Sequence, residues 1–97
     1  MDVRDYELMY IVRPDLTEEQ LNSVSERIDA LIGRLGGEVT EKNVWGKRRL
    51  AYPINRHEEG YYIVEQLRLA PGRTQELENQ LRISDDVIRH ILVRPGE

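Results

Sequence analysis

The sequence contains no cysteine. That one absence removes disulfides, thiolate nucleophiles, redox pairs and zinc ribbons together, and it suits a reducing cytosol. Long apolar runs are missing as well. Stretches such as Ile91-Leu92-Val93 end after a few residues, far short of the ~20 needed to cross a bilayer. The opening Met1-Asp2-Val3-Arg4-Asp5 does not read as a secretory signal. The expectation is a cytoplasmic protein with no membrane partner. At 97 residues and without covalent staples, residues 1–97 are expected to form one domain around one core.

Catalytic apparatus is equally absent from the pattern. His57 and His90 fall on different elements with no H-x-x-x-H or H-E-x-x-H spacing, so a metal site lacks ligands. Asp85-Asp86 and Glu58-Glu59 are neighbours only along the chain and read as turn and surface chemistry. There is no G-x-x-x-x-G-K-[ST] phosphate loop, and Ser23, Ser25 and Ser84 have no nearby histidine to activate them. A non-enzymatic protein is expected, with no catalytic residue, cofactor, metal or small-molecule substrate.

One further absence is positive information. Between Lys42 and His57 there is no acidic residue, while Lys42, Lys47, Arg48, Arg49 and Arg56 lie there beside Trp45 and Tyr52. The window carries a formal +5, against −9 from the nine basic and eighteen acidic residues elsewhere. Clustered cations with aromatic neighbours are the footprint of a phosphate-bearing partner. A second reading stays open on the residues alone, since Lys and Arg on an edge strand also block edge-to-edge aggregation.

Periodicity supplies the frame around that window. A strand is predicted over residues 5–13, with Tyr6, Leu8, Tyr10 and Val12 on one face and Glu7, Met9, Ile11 and Arg13 on the other. Because both faces are partly apolar, the strand should be central, and Met9 and Ile11 become candidates for a partner-facing patch. Thr17 and Gln20 form a capping box, stapled by Leu16 and Leu21, for a helix whose buried stripe is Leu21, Val24, Ile28, Leu31 and Leu35. Gly36-Gly37 ends it.

A second strand is expected over residues 38–52, with Gly46 as a bulge. Arg48, Leu50 and Tyr52 share one side and Lys47, Arg49 and Ala51 the other. With Leu50 taken as core-facing, Lys47 and Arg49 would project from the opposite sheet face, and Arg48 would reach round the edge. Pro53 places this end at an edge or turn. A loop over 53–59 would carry Arg56 and His57 at its tip, followed by a strand over 60–69. After Ala70-Pro71-Gly72 comes a short helix burying Leu77 and Leu81, broken by Ser84-Asp85-Asp86. A last strand over 87–94 is stopped by Pro95-Gly96-Glu97.

Strand, helix, strand, strand, helix, strand is the split βαβ pattern of a ferredoxin-like α+β sandwich: a four-stranded antiparallel sheet with two helices on one face. The spatial order would be four, one, three, two. Fold alone does not choose a function. A metal chaperone of this fold would need paired cysteines, and an acyl phosphatase a phosphate-cradling loop where this chain has Arg13-Pro14-Asp15-Leu16. In the register of an RNA-recognition motif, Ile63 and Gln66 would occupy base-stacking positions, which excludes that binding mode.

The run GKRRLAYPI at residues 46–54, then Arg56, then Gly60-Tyr61-Tyr62, resembles the signature of the bacterial small-subunit ribosomal protein S6 family. The resemblance covers nearly the whole chain, from a Tyr6-Glu7 strand ending at Pro14 to a last strand through Val93-Arg94. It implies a ribosomal protein that binds the central domain of small-subunit ribosomal RNA as a heterodimer with ribosomal protein S18. On that reading the RNA-binding candidates are Lys47, Arg48, Arg49, Tyr52, Arg56 and Arg94, and the partner-binding candidates are Met9 and Ile11. The alternative is a small regulatory or oligomerising ferredoxin-like domain that does not bind RNA.

Overall fold

Alternation in the first strand decides which side of the sheet becomes the core. In the computed structural model, which describes residues 2–95, β1 (Arg4–Val12) buries Tyr6, Leu8, Tyr10 and Val12 on one face. The chain then enters α1 (Glu18–Arg34) through the expected cap. The Gln20 amide donates to Thr17 Oγ1 at 3.2 Å, and the Thr17 amide donates to Gln20 Oε1 at 2.9 Å. Such a cap contributes about 1 kcal/mol. At the far end the Gly36 amide donates to the Gly33 carbonyl at 3.0 Å and the Gly37 amide to the Ile32 carbonyl at 2.9 Å. This is the paired bonding of a Schellman stop.

The buried face of α1 is Leu21, Val24, Ser25, Ile28 and Ile32, continued by Leu35 at its C-cap. Here the sequence reading needs a correction. Leu31 lies half-buried at the rim, while Ile32, one turn beyond Ile28, is fully enclosed.

After β2 (Glu38–Ile54) and β3 (His57–Leu69), a 3₁₀ turn over Pro71–Arg73 leads into α2 (Thr74–Ile83), and β4 (Val87–Val93) closes the order. All pairings are antiparallel, and the sheet runs β2-β3-β1-β4. The fold is the expected ferredoxin-like sandwich with β1 and β3 central. Leu77 and Leu81 of α2 meet Leu8, Ile63, Leu67, Leu69 and the α1 stripe in one core. Each such side chain, fully buried, stabilises the fold by roughly 1.5–3 kcal/mol relative to exposure. Arg13 and Arg94 lie just beyond their strands, and Gly96 and Glu97, expected to help stop β4, are outside the described residues.

The hairpin between β2 and β3 is tighter than a seven-residue loop. Ile54 pairs with His57, leaving Asn55 and Arg56 as a two-residue turn with φ of 49° and 69°. Both residues are left-handed, as a type I′ turn requires. Pro53 does not end the strand because it falls in the register shift between Arg49 and Ile54 of an edge strand, where its missing donor breaks no ladder pairing.

Candidate nucleic-acid and partner surface

Gly46 positions the cationic segment. Its φ of 85° and the register shift between Val44 and Gly46 make a bulge, which resets the alternation of β2. Beyond the bulge Lys47 pairs with Tyr61, Arg48 with Gly60 and Arg49 with Glu59. Tyr61 packs against the helix-facing core and its hydroxyl donates to the Leu16 carbonyl at 3.3 Å. Lys47, with Nζ 5.2 Å from the Tyr61 ring centroid, is therefore on the helix side, and Arg49 shares its parity.

Arg48 occupies the opposite, open face. A Cβ added at Gly60, its register partner, would lie 2.3 Å from Ile11 Cγ2 and 3.2 Å from the Val12 carbonyl oxygen. Only glycine lets the hairpin and β1 approach this closely. Leu50 follows Arg48 in alternation, is buried, and stands outside the helix-facing core. The expected orientation is thus reversed: Leu50, Arg48 and Tyr52 belong to the open side, and Lys47 and Arg49 to the helix side. The inversion arises because Leu50 is buried outside the helix-facing core, and Leu50 was the residue used to set the alternation.

Arg48 places its guanidinium carbon 5.7 Å from the Trp45 ring centroid and donates through Nε to the Trp45 carbonyl at 3.4 Å. Trp45 in turn lies parallel to Tyr62, with an interplanar angle of 5° and centroids 6.4 Å apart. Tyr52 crosses farther, because its hydroxyl accepts a 2.6 Å hydrogen bond from Arg89 Nη1 on β4. Arg89 was missed by sequence reasoning. The signal available was its register, since β4 beside β1 sets Arg89 opposite Ile11.

Lys42 does not join the exposed cluster. It pairs with Asp29 and lies 3.5 Å from Glu65 beneath α1. Arg13 is likewise engaged, by Asp86 and Asp15 at 2.9 Å each. Although burial works to raise the Asp86 pKa, hydrogen bonds from Arg13 and Arg27 hold it below the ordinary carboxylate value. Among the described residues, Lys47, Arg48, Arg49 and Arg56 form no ion pair with a carboxylate. These four surround the distal hairpin: two on one face, one on the other, one in the turn. Arg94 is not with them. β4 runs antiparallel to β1 with Val87 at the hairpin end, so Arg94 lies at the opposite end of the sheet.

The open face carries an apolar row as well. Val64, Met9 and Ile91 are register neighbours across three strands, and Tyr62 with Trp45 extends the row toward β2. Ile91 and Val93 are exposed and Met9 is half-buried. Ile11 differs from its expected role as an accessible contact. It is 3% exposed, packed over Gly60 near Ile88, so it supports this surface from beneath.

No helix among the described residues is long and apolar enough to cross a membrane, and no group of three or more His, Asp or Glu there is arranged to hold a metal.

Comparison with known proteins matches residues 5–94 to the family described as Ribosomal protein S6. The chain is 49% identical over 92 residues to the small ribosomal subunit protein bS6 of Carboxydothermus hydrogenoformans, covering 95% of this chain and 96% of that one. It is 41% identical over 95 residues to the bS6 protein of Desulforamulus reducens, covering 98% and 100%. The crystal structure of 30S ribosomal protein S6 from Thermotoga maritima superimposes with a TM-score of 0.90 at 34% identity, covering 96% of this chain and 88% of that one.

Proposed function

The chain belongs to the ribosomal protein S6 family, a non-enzymatic constituent of the small ribosomal subunit in the cytoplasm, and from that premise we propose that it binds the central domain of small-subunit ribosomal RNA together with ribosomal protein S18. Membership of a ribosomal-protein family weighs against the alternative of a small regulatory or oligomerising domain that does not bind RNA. The observation that carries the reading is the distal hairpin, where Lys47, Arg48, Arg49 and Arg56 are held without carboxylate partners in a chain of net charge −4. Cations left unneutralised by their own protein are the ones available to phosphates. Tyr52 braces this arm through Arg89. RNA reached by Arg94, at the other end of the sheet, would be a second contact.

The acidic remainder disfavours RNA nearby, and a basic companion offsets that cost. The half-exposed row of Met9, Ile91 and Val93 is the proposed seat for S18, with Ile11 as its support. The test is binding to central-domain RNA, with and without S18, across a salt series. Replacing Lys47, Arg48 and Arg49 by Ala should flatten log K against log salt by about 0.7–0.9 per lost phosphate contact. An unchanged slope in a folded triple variant rules these residues out as phosphate ligands.

A further inference from the structure

Beneath α1 lies a polar cluster that the RNA reading does not use. Glu65, at the middle of central strand β3, is fully buried. Its parity turns it toward the helices, between Ile63 and Leu67 of the core. Lys42 of β2 reaches in from the edge, donating to Ser25 Oγ at 2.6 Å and to the Asp29 carboxylate on α1. The Tyr10 hydroxyl donates to the same Ser25 oxygen at 3.1 Å.

The hydrogen-bond count at this cluster does not close if both acids are ionised. Glu65 Oε1, Glu65 Oε2 and Asp29 Oδ1 are all buried and all without a hydrogen-bond partner. The nearest cation to Glu65, Lys42 Nζ, is 3.5 Å away, beyond a well-formed hydrogen bond. Both carboxyl groups nonetheless converge on the one Lys42 ammonium, Asp29 by a hydrogen bond and Glu65 at 3.5 Å. Two ionised carboxylates offer only acceptors, and around one ammonium, with Glu65 fully buried, they repel. A proton on one supplies the missing donor, pairs an orphan on each side and leaves one negative charge opposite one lysine.

We propose that Glu65 and Asp29 share one proton in the folded protein, forming with Lys42 a proton-dependent latch between α1 and the sheet strands β3 and β2. Protonated, the acid pair bonds across the seam and the cluster is neutral. Losing that proton sets a second negative charge under α1 with one ammonium to balance two carboxylates, and the seam weakens. The charged or titratable groups bearing on Glu65 are Asp29 from α1, Lys42 from β2 and Tyr10 from β1, with Glu26 of α1 lining the adjacent surface hollow beside Lys42. Burial first, then hydrogen bonding and charge from Asp29, raise the Glu65 pKa to about 8, with Lys42 opposing. The Tyr10 hydroxyl, raised by burial and by Glu65, stays neutral throughout this range.

The sign follows from linkage. A carboxyl whose pKa is higher folded than unfolded takes up a proton on folding. Its contribution is full below the ordinary carboxyl range, falls as pH rises toward about 8, and is level above that. Glu65→Gln keeps the shape and a donor but cannot ionise. Between pH 5 and 8 the folding constant of the wild type should therefore drop by at least about tenfold relative to E65Q, tenfold corresponding to one unit of pKa difference. The side-chain carboxyl carbon resonance of Glu65, followed by NMR in the wild-type chain, should move near or above neutrality. In Asp29→Asn, where Lys42 faces one acid, it should move at lower pH. A Glu65 resonance that titrates near pH 4–5, or an E65Q variant with the same pH slope as the wild type, overturns the shared proton.

Discussion

Tyr52 and Arg89 belong to the two edge strands of the sheet, yet the Tyr52 hydroxyl accepts a 2.6 Å hydrogen bond from Arg89. β3 and β1 lie between β2 and β4 in the strand order, so the distal hairpin must bend across the open face for this contact to form. The bend begins at the Gly46 bulge, is made close by Gly60, and continues through the register shift between Arg49 and Ile54. It turns a long edge hairpin into an arm with a defined direction.

That contact gives the first prediction. Tyr52 is 57% exposed, so Tyr52→Phe, which removes one hydrogen bond at the surface, should cost no more than about 1 kcal/mol. Amide exchange should quicken in residues 50–57 while the core stays protected. Urea unfolding monitored by circular dichroism checks the first part and hydrogen exchange the second. A loss above about 2 kcal/mol would mean that the hydroxyl supports the core as well as the arm.

A second prediction concerns Gly60. A methyl group there meets Ile11 Cγ2 at 2.3 Å with the Val12 carbonyl close behind. Gly60→Ala should cost roughly 1–3 kcal/mol by overpacking. Ile11→Ala in the same chain should restore part of the loss, giving a coupling between the two positions beyond about 0.5 kcal/mol. Additive effects in the double-variant cycle would refute the close approach.

The strands, the capping box, the glycine stop and the basic hairpin were legible because each is local: alternation, one side chain bonding the next turn, a run of like charges. Orientation beyond Gly46 was not. A bulge resets parity, and a buried leucine looks the same in sequence whichever face covers it, so Leu50 misled where Tyr6 and Leu8 did not. Arg89 and Glu65 were invisible for a related reason. Their roles depend on Tyr52 and Asp29, each more than thirty residues away, which meet them only after the sheet is assembled. Ile11 had the right face, but its burial by Gly60 is a property of the hairpin and not of β1.

The third prediction is an acid limb. Hydrogen bonds from Arg13 and Arg27 hold the Asp86 pKa below its ordinary value despite opposing burial. A depressed carboxyl contributes stability above its unfolded pKa and loses it as pH falls through the folded one. Asp86→Asn should therefore remove part of the stability at neutral pH, about 1–2 kcal/mol after allowing for the exposure of Arg27. It should also flatten the decline below pH 4. Thermal unfolding from pH 2 to 7 reads both effects, and parallel wild-type and variant curves over that span would contradict them.

The last prediction separates the two apolar residues of β1's open face. Met9 is half-buried in the row with Val64 and Ile91, whereas Ile11 is enclosed beneath the hairpin. A carboxylate at Met9 can stay hydrated, so Met9→Glu should leave folding nearly intact and weaken S18 binding at least about tenfold, because an apolar seat then holds a charge. Ile11→Glu has no such escape and should destabilise the chain by more than about 3 kcal/mol whether or not a partner is present. Trp45, the single tryptophan, is 50% exposed on the same face and stacked on Tyr62. If S18 docks on that face as proposed, the Trp45 emission should shift to the blue on S18 addition and should stay put when S18 is added to Met9→Glu. If Met9→Glu binds S18 with wild-type affinity and the same emission shift, the partner docks elsewhere and the open apolar row needs another explanation.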